Sequence, residues 1–135
     1  MPSTVPVRSK THTLLVVDDE TGILHAIQET LADCQYQMIL TTDPRHALQL
    51  LKADPSIDVL ITDLYMPSMD GVELLKEGRG IRPDLGIVLT TGLASTEQLR
   101  RWRARGELII GKPWRSKEFE NTVEKALLRR TLGPK

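Results

Sequence analysis

The chain has 135 residues, a length that suits a single domain with a buried hydrophobic core. Its 18 basic and 18 acidic residues cancel to a net charge of zero, and 40% of its residues are hydrophobic, which excludes a strongly charged disordered chain. A single cysteine excludes an internal disulfide and no apolar run reaches the length of a membrane span, so we expect a cytoplasmic protein without a membrane contact.

The beginning of the chain predicts an arm, a strand, a helix and a second strand. Residues 1–12 are polar, contain two prolines and lack the apolar stretch of a signal peptide, so we expect a flexible arm. Buried strands are predicted at His12–Val17 and Tyr36–Thr41, because both runs are short and apolar. Between them, three apolar residues at helical spacing predict a helix: Ile23, Ile27 and Leu31.

The next segment predicts a second helix and a third strand. Asp43 is a suitable N-cap and Pro44 a suitable first helical residue, and the helix should stop near Asp54. Its inward face would present Ala47, Leu48 and Leu51. The apolar run Ile57–Thr62 then predicts the third strand.

Two glycines determine the prediction for the third helix. We expect a short helix over Gly71–Glu77, ended by Gly78 and Gly80, because glycine in a helix interior is unfavourable. The fourth strand is predicted at Gly86–Thr90, where five residues form a buried apolar run.

The last segment predicts two more helices around a fifth strand. Ser95 would cap a helix that carries Leu99 and Trp102, and Glu107–Ile110 is the fifth strand. Ser116 would open the last helix, whose apolar face contains Phe119, Val123 and Leu127. We therefore assign the domain to residues 13–130 and a C-terminal tail to residues 131–135.

Five β–α units in series predict an α/β fold, a single doubly wound domain. Such units form a parallel sheet with helices on both faces, and right-handed crossovers leave few topologies. We favour the flavodoxin-like (βα)5 arrangement with strand order 2-1-3-4-5, whose ligand site lies at the carboxyl ends of the strands.

Polar side chains follow four of the predicted strands. Asp18 and Asp19 come after the first strand, Asp63 after the third, Thr91 after the fourth and Lys112 after the fifth. Because the carboxyl ends of parallel strands meet at one edge of the sheet, we expect these five residues to form one site.

The residue types in this set predict phosphoryl chemistry. Two carboxylates 4 Å apart repel by about 4 kcal/mol at an effective dielectric of 20, and a divalent cation offsets such repulsion. Mg²⁺ prefers oxygen ligands and also holds phosphate. Asp63 could then attack phosphorus, while Lys112 and the Thr91 hydroxyl stabilise the phosphoryl oxygens.

Each of these residues also has an ordinary structural explanation. An acid after a strand is commonly a turn former or a helix cap, and a lysine is commonly a solvated surface group. We favour the site because suitable residues recur at matching strand ends. A P-loop is rejected: Gly106–Lys112 reads G-x-x-x-x-G-K, but Pro113 follows it and the intervening residues look like a strand.

Charge is unevenly distributed along the chain. Residues 1–99 contain 7 basic and 14 acidic residues, whereas residues 100–135 contain 11 basic and 4 acidic residues. The densest basic run, Arg100–Arg105, is interpreted as a solvated helix face with Trp102 partly in the core. We do not expect nucleic-acid binding, because no recognised motif accompanies the run.

Four stretches resemble response-regulator receiver domains of two-component signalling, a superfamily that includes the chemotaxis regulators. The matching stretches are LVVDDE at Leu15–Glu20, VLITDLYMPSMDG at Val59–Gly71, IVLTTG at Ile87–Gly92 and GKPW at Gly111–Trp114. They occur in the order and at the spacing of that family, and the resemblance covers residues 13–130.

The resemblance implies a role for each polar residue of the set. Asp63 would be the phosphoacceptor, Asp19 would bind Mg²⁺ directly and Asp18 would act mostly through bound water. The backbone carbonyl of Tyr65 would complete the metal ligands. The resemblance further implies a switch hydroxyl, a phosphate-contacting lysine and a cis peptide bond, in Thr91, Lys112 and Lys112-Pro113.

Three positions depart from the family pattern, which usually has an aromatic residue three positions before the lysine. Ile109 occupies that place, Gly111 adds backbone freedom and Trp114 stands where Phe is more common. Without the aromatic ring, we expect the signal to pass through the loop after Thr91 and the helix bearing Trp102. The departures leave the phosphorylation chemistry unchanged.

The resemblance also implies partners. We expect phosphoryl transfer from a sensor histidine kinase or a phosphotransfer protein, and homodimer or effector contact through residues 95–130. The chain would be a phosphoacceptor and not a turnover enzyme. The alternatives are a module of a larger hybrid kinase, a regulator with an enzymatic output domain, or an aspartate-nucleophile phosphohydrolase, although haloacid-dehalogenase-like enzymes need an acid where Tyr65 stands.

Overall fold

The computed structural model describes residues 11–92 and 95–132, which form a five-stranded parallel sheet with helices on both faces. The strands are β1 (Thr13–Val17), β2 (Gln37–Thr41), β3 (Ile57–Asp63), β4 (Gly86–Thr91) and β5 (Leu108–Gly111). The helices are α1 (Thr21–Thr30), α2 (Pro44–Ala53), α3 (Gly71–Ile81), α4 (Thr96–Ala104) and α5 (Ser116–Leu132), and a 3-10 turn covers Ala32–Cys34.

The strand order is β2-β1-β3-β4-β5, which confirms the predicted flavodoxin-like topology. Strands β1, β3 and β4 are completely buried along their length, as expected for a parallel sheet covered on both faces. The segment that resembled a P-loop contains β5, so its rejection is confirmed. None of the helices in the described ranges is long and apolar enough to cross a membrane.

Two hydrophobic cores lie on opposite faces of the sheet. Leu15, Leu60 and Leu89 point into the core that α2, α3 and α4 cover, and Ile109 joins them there. The alternate residues of the same strands point into the other core, which Phe119 and Val123 of α5 fill. The alternation of side chains along each strand therefore determines which helices a strand residue contacts.

The predicted end of the third helix was wrong. Helix α3 continues through Gly78 and Gly80 to Ile81. Gly78 is buried against Leu51 and Leu60, and a Cβ atom built on it would already lie 3.4 Å from Leu51 Cδ1. The close approach of α3 to α2 and the sheet outweighs the low helix propensity of glycine.

The N-caps predicted at Asp43 and Ser95 are confirmed, since each accepts a hydrogen bond from a backbone N–H in the first turn of α2 or α4. Asp70 caps α3 in the same way, although the sequence analysis did not predict it. Most of the predicted N-terminal arm lies outside the described residues, as do residues 133–135 of the predicted tail.

Asp58 connects both ends of the domain near the amino-terminal end of β3, opposite the carboxyl ends of the strands. This carboxylate, only 3% exposed, accepts a hydrogen bond from the Thr13 backbone N–H at 3.1 Å. His12 Nδ1 lies 3.3 Å from it, and Arg130 Nη2 of α5 pairs with it at 3.0 Å. The start of β1 and the end of α5 are thus joined through one residue of β3.

Gly71 sets the distance between α3 and the end of β3, and this generates a prediction. A Cβ atom at Gly71 would overlap the Asp63 carbonyl oxygen and lie 2.8 Å from Leu64 Cα. Because backbone atoms cannot move aside, Gly71→Ala should lower the free energy of unfolding by about 2 kcal/mol or more in urea denaturation. The control, Gly80→Ala, has nothing within 4 Å and should stabilise by about 0.5 kcal/mol. Equal effects of the two substitutions would contradict this account.

Candidate functional site

The predicted polar residues meet at the carboxyl ends of the strands. Asp18 and Asp19 follow β1 and Asp63 is the last residue of β3. One carboxylate oxygen from each of the three can be chosen so that all three lie within 4.8 Å of one another. Thr91 ends β4 and Lys112 directly follows β5. The five residues therefore lie at the carboxyl ends of their strands, as the sequence predicts.

Lys112 connects the acidic residues with the end of β4. Its Nζ lies 2.9 Å from Asp18 Oδ2 and 3.3 Å from Asp63 Oδ1, so one ammonium serves two carboxylates. Its backbone N–H donates to the Thr91 carbonyl at 2.8 Å. The Lys112-Pro113 peptide bond is cis, as the resemblance implied.

The three acids differ in burial. Asp18 is 1% exposed and Asp63 is 7% exposed, whereas Asp19 lies at the surface. Asp18 Oδ1 accepts a hydrogen bond from the Glu20 backbone N–H at 2.9 Å. Asp18 is thus a turn-forming residue and also a member of the acidic cluster.

Burial shapes the electrostatics of Asp63. Burial raises the pKa of the Asp63 carboxyl, Lys112 acts against this rise, and Asp18 and Asp19 add to it, so that the net pKa lies above the ordinary 3.8. For Lys112, burial lowers the pKa, but the hydrogen bond to Asp18 and the charges of both acids outweigh burial and raise it overall. Lys112 is therefore protonated, whereas the ionised form of Asp63 lowers the stability of the fold.

The donor set fits a hard divalent cation. The cluster offers three carboxylates, and oxygen ligands are those that Mg²⁺ takes in proteins. Asp19 would be the most accessible ligand because it is exposed. Tyr65 lies two residues after Asp63 and is 50% exposed, and its backbone carbonyl is the further ligand that the family resemblance implies.

The departures from the family pattern are packed into the structure. Ile109 is 3% exposed within the core covered by α2, α3 and α4. Trp114 donates from Nε1 to Thr30 Oγ1 at 2.9 Å and packs edge-on against Phe119 at 4.8 Å between ring centroids. Trp114 also lines a surface groove beside Lys112 and Pro113.

Sequence reasoning missed one residue of this region. Thr90 is 1% exposed and pairs with Asp63 in the register of β3 and β4. A buried parallel strand gives no polar–apolar alternation, so its sequence did not indicate which face Thr90 occupies.

Comparison with known proteins gives one consistent family. The family described as the response regulator receiver domain matches residues 14–124. Response regulator MprA of Mycolicibacterium vanbaalenii is 32% identical over 94% of this chain and 52% of its own length. Response regulator receiver protein CpdR of Brucella abortus is 28% identical over 85% of this chain and 96% of its own. The chain thus spans about half the length of MprA and nearly all of CpdR.

Solved structures agree with this family. A signal receiver domain of an HD domain-containing protein from Pseudomonas fluorescens has a TM-score of 0.78 at 28% identity, over 91% of this chain and 99% of that one. A response regulator receiver domain protein from Clostridium thermocellum has a TM-score of 0.79 at 26% identity, over 90% and 98%.

The raised pKa of Asp63 predicts a pH-dependent stability difference. Ionised Asp63 destabilises the fold above its folded pKa, so metal-free Asp63→Asn should melt at a higher temperature than wild type at pH 7. The difference should shrink as the pH falls through that raised pKa towards 3.8, because wild-type Asp63 then becomes neutral.

Thermal melts in chelator from pH 3.5 to 8 measure this difference. Asp33→Asn removes an exposed acid outside the cluster and serves as the matched control, for which we expect little change. A lower melting temperature of Asp63→Asn at pH 7 would show that the Lys112 pairing outweighs the burial cost.

Proposed function

Because the chain belongs to the response regulator receiver family of two-component systems, we propose that it accepts a phosphoryl group on Asp63. The observation that carries the proposal is the position of Lys112 Nζ, 2.9 Å from Asp18 and 3.3 Å from Asp63 at the carboxyl edge of the sheet. An ammonium held in this way is available for an anion that approaches Asp63.

Asp63 is the nucleophile of the proposed reaction. One carboxylate oxygen forms a bond to phosphorus while the bond between phosphorus and the donor's leaving atom breaks, and the leaving group departs with the electron pair. The product is an acyl phosphate on Asp63. No proton has to be removed from the nucleophile, because the carboxylate is ionised when it attacks.

Lys112 and Thr91 act on the transferred group. The Lys112 ammonium moves from Asp63 to the phosphoryl oxygens. Its ion pair with Asp18 keeps it at the carboxyl ends of the strands during this movement. The Thr91 hydroxyl donates to another phosphoryl oxygen, and the Thr91 backbone carbonyl already accepts a hydrogen bond from the Lys112 N–H.

Asp18, Asp19 and Asp63 would hold Mg²⁺, with the Tyr65 carbonyl as a further ligand. A bound Mg²⁺ would neutralise negative charge on the carboxylates and on the phosphoryl oxygens.

The proposed activity is that of a switch and not of a turnover enzyme. A rapid aspartate-nucleophile hydrolase of the haloacid-dehalogenase type needs a second acid two residues after the nucleophile, and Tyr65 occupies that position here. The acyl phosphate should therefore persist long enough to change the surface of the domain.

The donor would be a sensor histidine kinase or a phosphotransfer protein. The surface groove lined by Ile23, Lys112 and Trp114 shares Lys112 with the site, and we place the protein donor there. The face formed by residues 95–130 would contact a second copy or an effector. Several arginines of this face have partners within the chain, since Arg100 pairs with Glu97 and Arg105 lies over the Trp102 ring, and this arrangement gives no support to nucleic-acid binding.

Phosphorylation by a small donor tests the nucleophile. With Mg²⁺ and acetyl phosphate, intact-mass spectrometry should show a gain of one phosphoryl group, which Asp63→Ala abolishes and a chelator suppresses. Asp33→Ala, which removes an exposed acid outside the cluster, should be phosphorylated like wild type. An adduct that survives in Asp63→Ala would overturn the assignment.

Metal binding is tested separately from phosphorylation. Mg²⁺ should stabilise the native state by about 2.7 kcal/mol at a concentration 100 times its Kd. Asp19→Asn should stabilise the metal-free protein by relieving carboxylate repulsion and should remove most of the response to Mg²⁺. Glu20→Gln, an exposed acid beside the cluster, is the control that keeps the response. An Asp19→Asn variant that gains as much from Mg²⁺ as wild type in a thermal melt would contradict this metal site.

A further inference from the structure

Thr90 lies directly beside Asp63 in the sheet. The two residues are partners in the register of β3 and β4, so their side chains point to the same face from strands about 4.8 Å apart. The Thr90 carbonyl accepts a hydrogen bond from the Leu64 N–H at 2.9 Å, which fixes the end of β4 against the residue after Asp63. Thr90 is therefore held next to the carboxylate that we assign as the nucleophile.

The Thr90 hydroxyl makes no hydrogen bond within the described residues. Its Oγ1 is completely buried and has no hydrogen-bond partner among residues 11–92 and 95–132. Buried hydroxyl groups nearly always have a partner, because burial without one is unfavourable. Three inward positions near Thr90 on the same face are apolar, namely Ile61, Val88 and Ile110, so valine would fill this place without the penalty.

The Asp63 carboxylate loses a hydrogen-bond donor when Lys112 turns to the phosphoryl group. In the structure it shares the Lys112 ammonium with Asp18. When Lys112 turns to an incoming phosphoryl group, the Asp63 carboxylate loses part of that contact while it has to keep the orientation for attack. A threonine side chain can reorient by one rotation about its Cα–Cβ bond.

We propose that Thr90 is a positioning residue whose hydroxyl rotates to donate a hydrogen bond to the Asp63 carboxylate once Lys112 leaves that carboxylate for the phosphoryl group. This inference rests on the proposed function, since it assigns a role within the same reaction. The hydroxyl acts through Asp63 and does not touch the phosphoryl donor, because Thr90 lies beneath the surface.

The test compares Thr90→Val, which removes only the hydroxyl, with Thr90→Ser, which keeps it. Adduct formation with acetyl phosphate and saturating Mg²⁺ is followed over a range of donor concentrations. The loss of one hydrogen bond to a charged group should lower the maximal rate constant of Thr90→Val about tenfold. The half-saturating donor concentration should stay unchanged, and Thr90→Ser should recover the rate to within about twofold of wild type.

Stability and a distant control separate positioning from packing. Thr90→Val should melt no lower than wild type, because it removes a hydroxyl without a partner. Thr13→Val, a buried threonine at the other end of the sheet, should leave the rate unchanged. A wild-type rate in Thr90→Val, or no recovery in Thr90→Ser, overturns this inference alone. Absence of an adduct in wild type, or its survival in Asp63→Ala, overturns the proposed function and this inference with it.

Discussion

The Lys112 ammonium between Asp18 and Asp63 is the interaction on which the site depends. Burying two carboxylates side by side is unfavourable, and a buried ammonium is equally unfavourable without partners. Together they offset one another only while the ends of β1, β3 and β5 stay aligned. The parallel sheet supplies that alignment, and the bond from the Lys112 N–H to the Thr91 carbonyl extends it to β4.

Much of this arrangement could be predicted from the sequence. The strands are short apolar runs, and the N-caps at Asp43 and Ser95 are residues whose side chains accept backbone hydrogen bonds. Five β–α units leave few topologies. The polar residues after the strands could be found because a parallel sheet gathers its carboxyl ends at one edge. At these positions the local sequence pattern favours the same structure as the overall fold, so the sequence alone predicts them.

The remaining features depend on contacts between distant segments. Gly78 stays helical because α3 packs its buried face against the domain, with Leu51 and Leu60 beside the glycine, and no local rule contains those neighbours. The orphan hydroxyl of Thr90 follows from the register of two strands separated by more than twenty residues of sequence. Asp58 stands inside an apolar strand, and its partners His12 and Arg130 come from the two ends of the domain.

The position of Asp58 has a mechanical consequence. Asp58 and Asp63 lie on the same strand, five residues and therefore roughly 17 Å apart along β3. The first and last parts of the described domain are anchored at one pole of the sheet, while the acidic site occupies the other. A force applied at His12 or Arg130 therefore acts at the amino-terminal end of β3, and not directly on the acidic residues at the other end of the sheet.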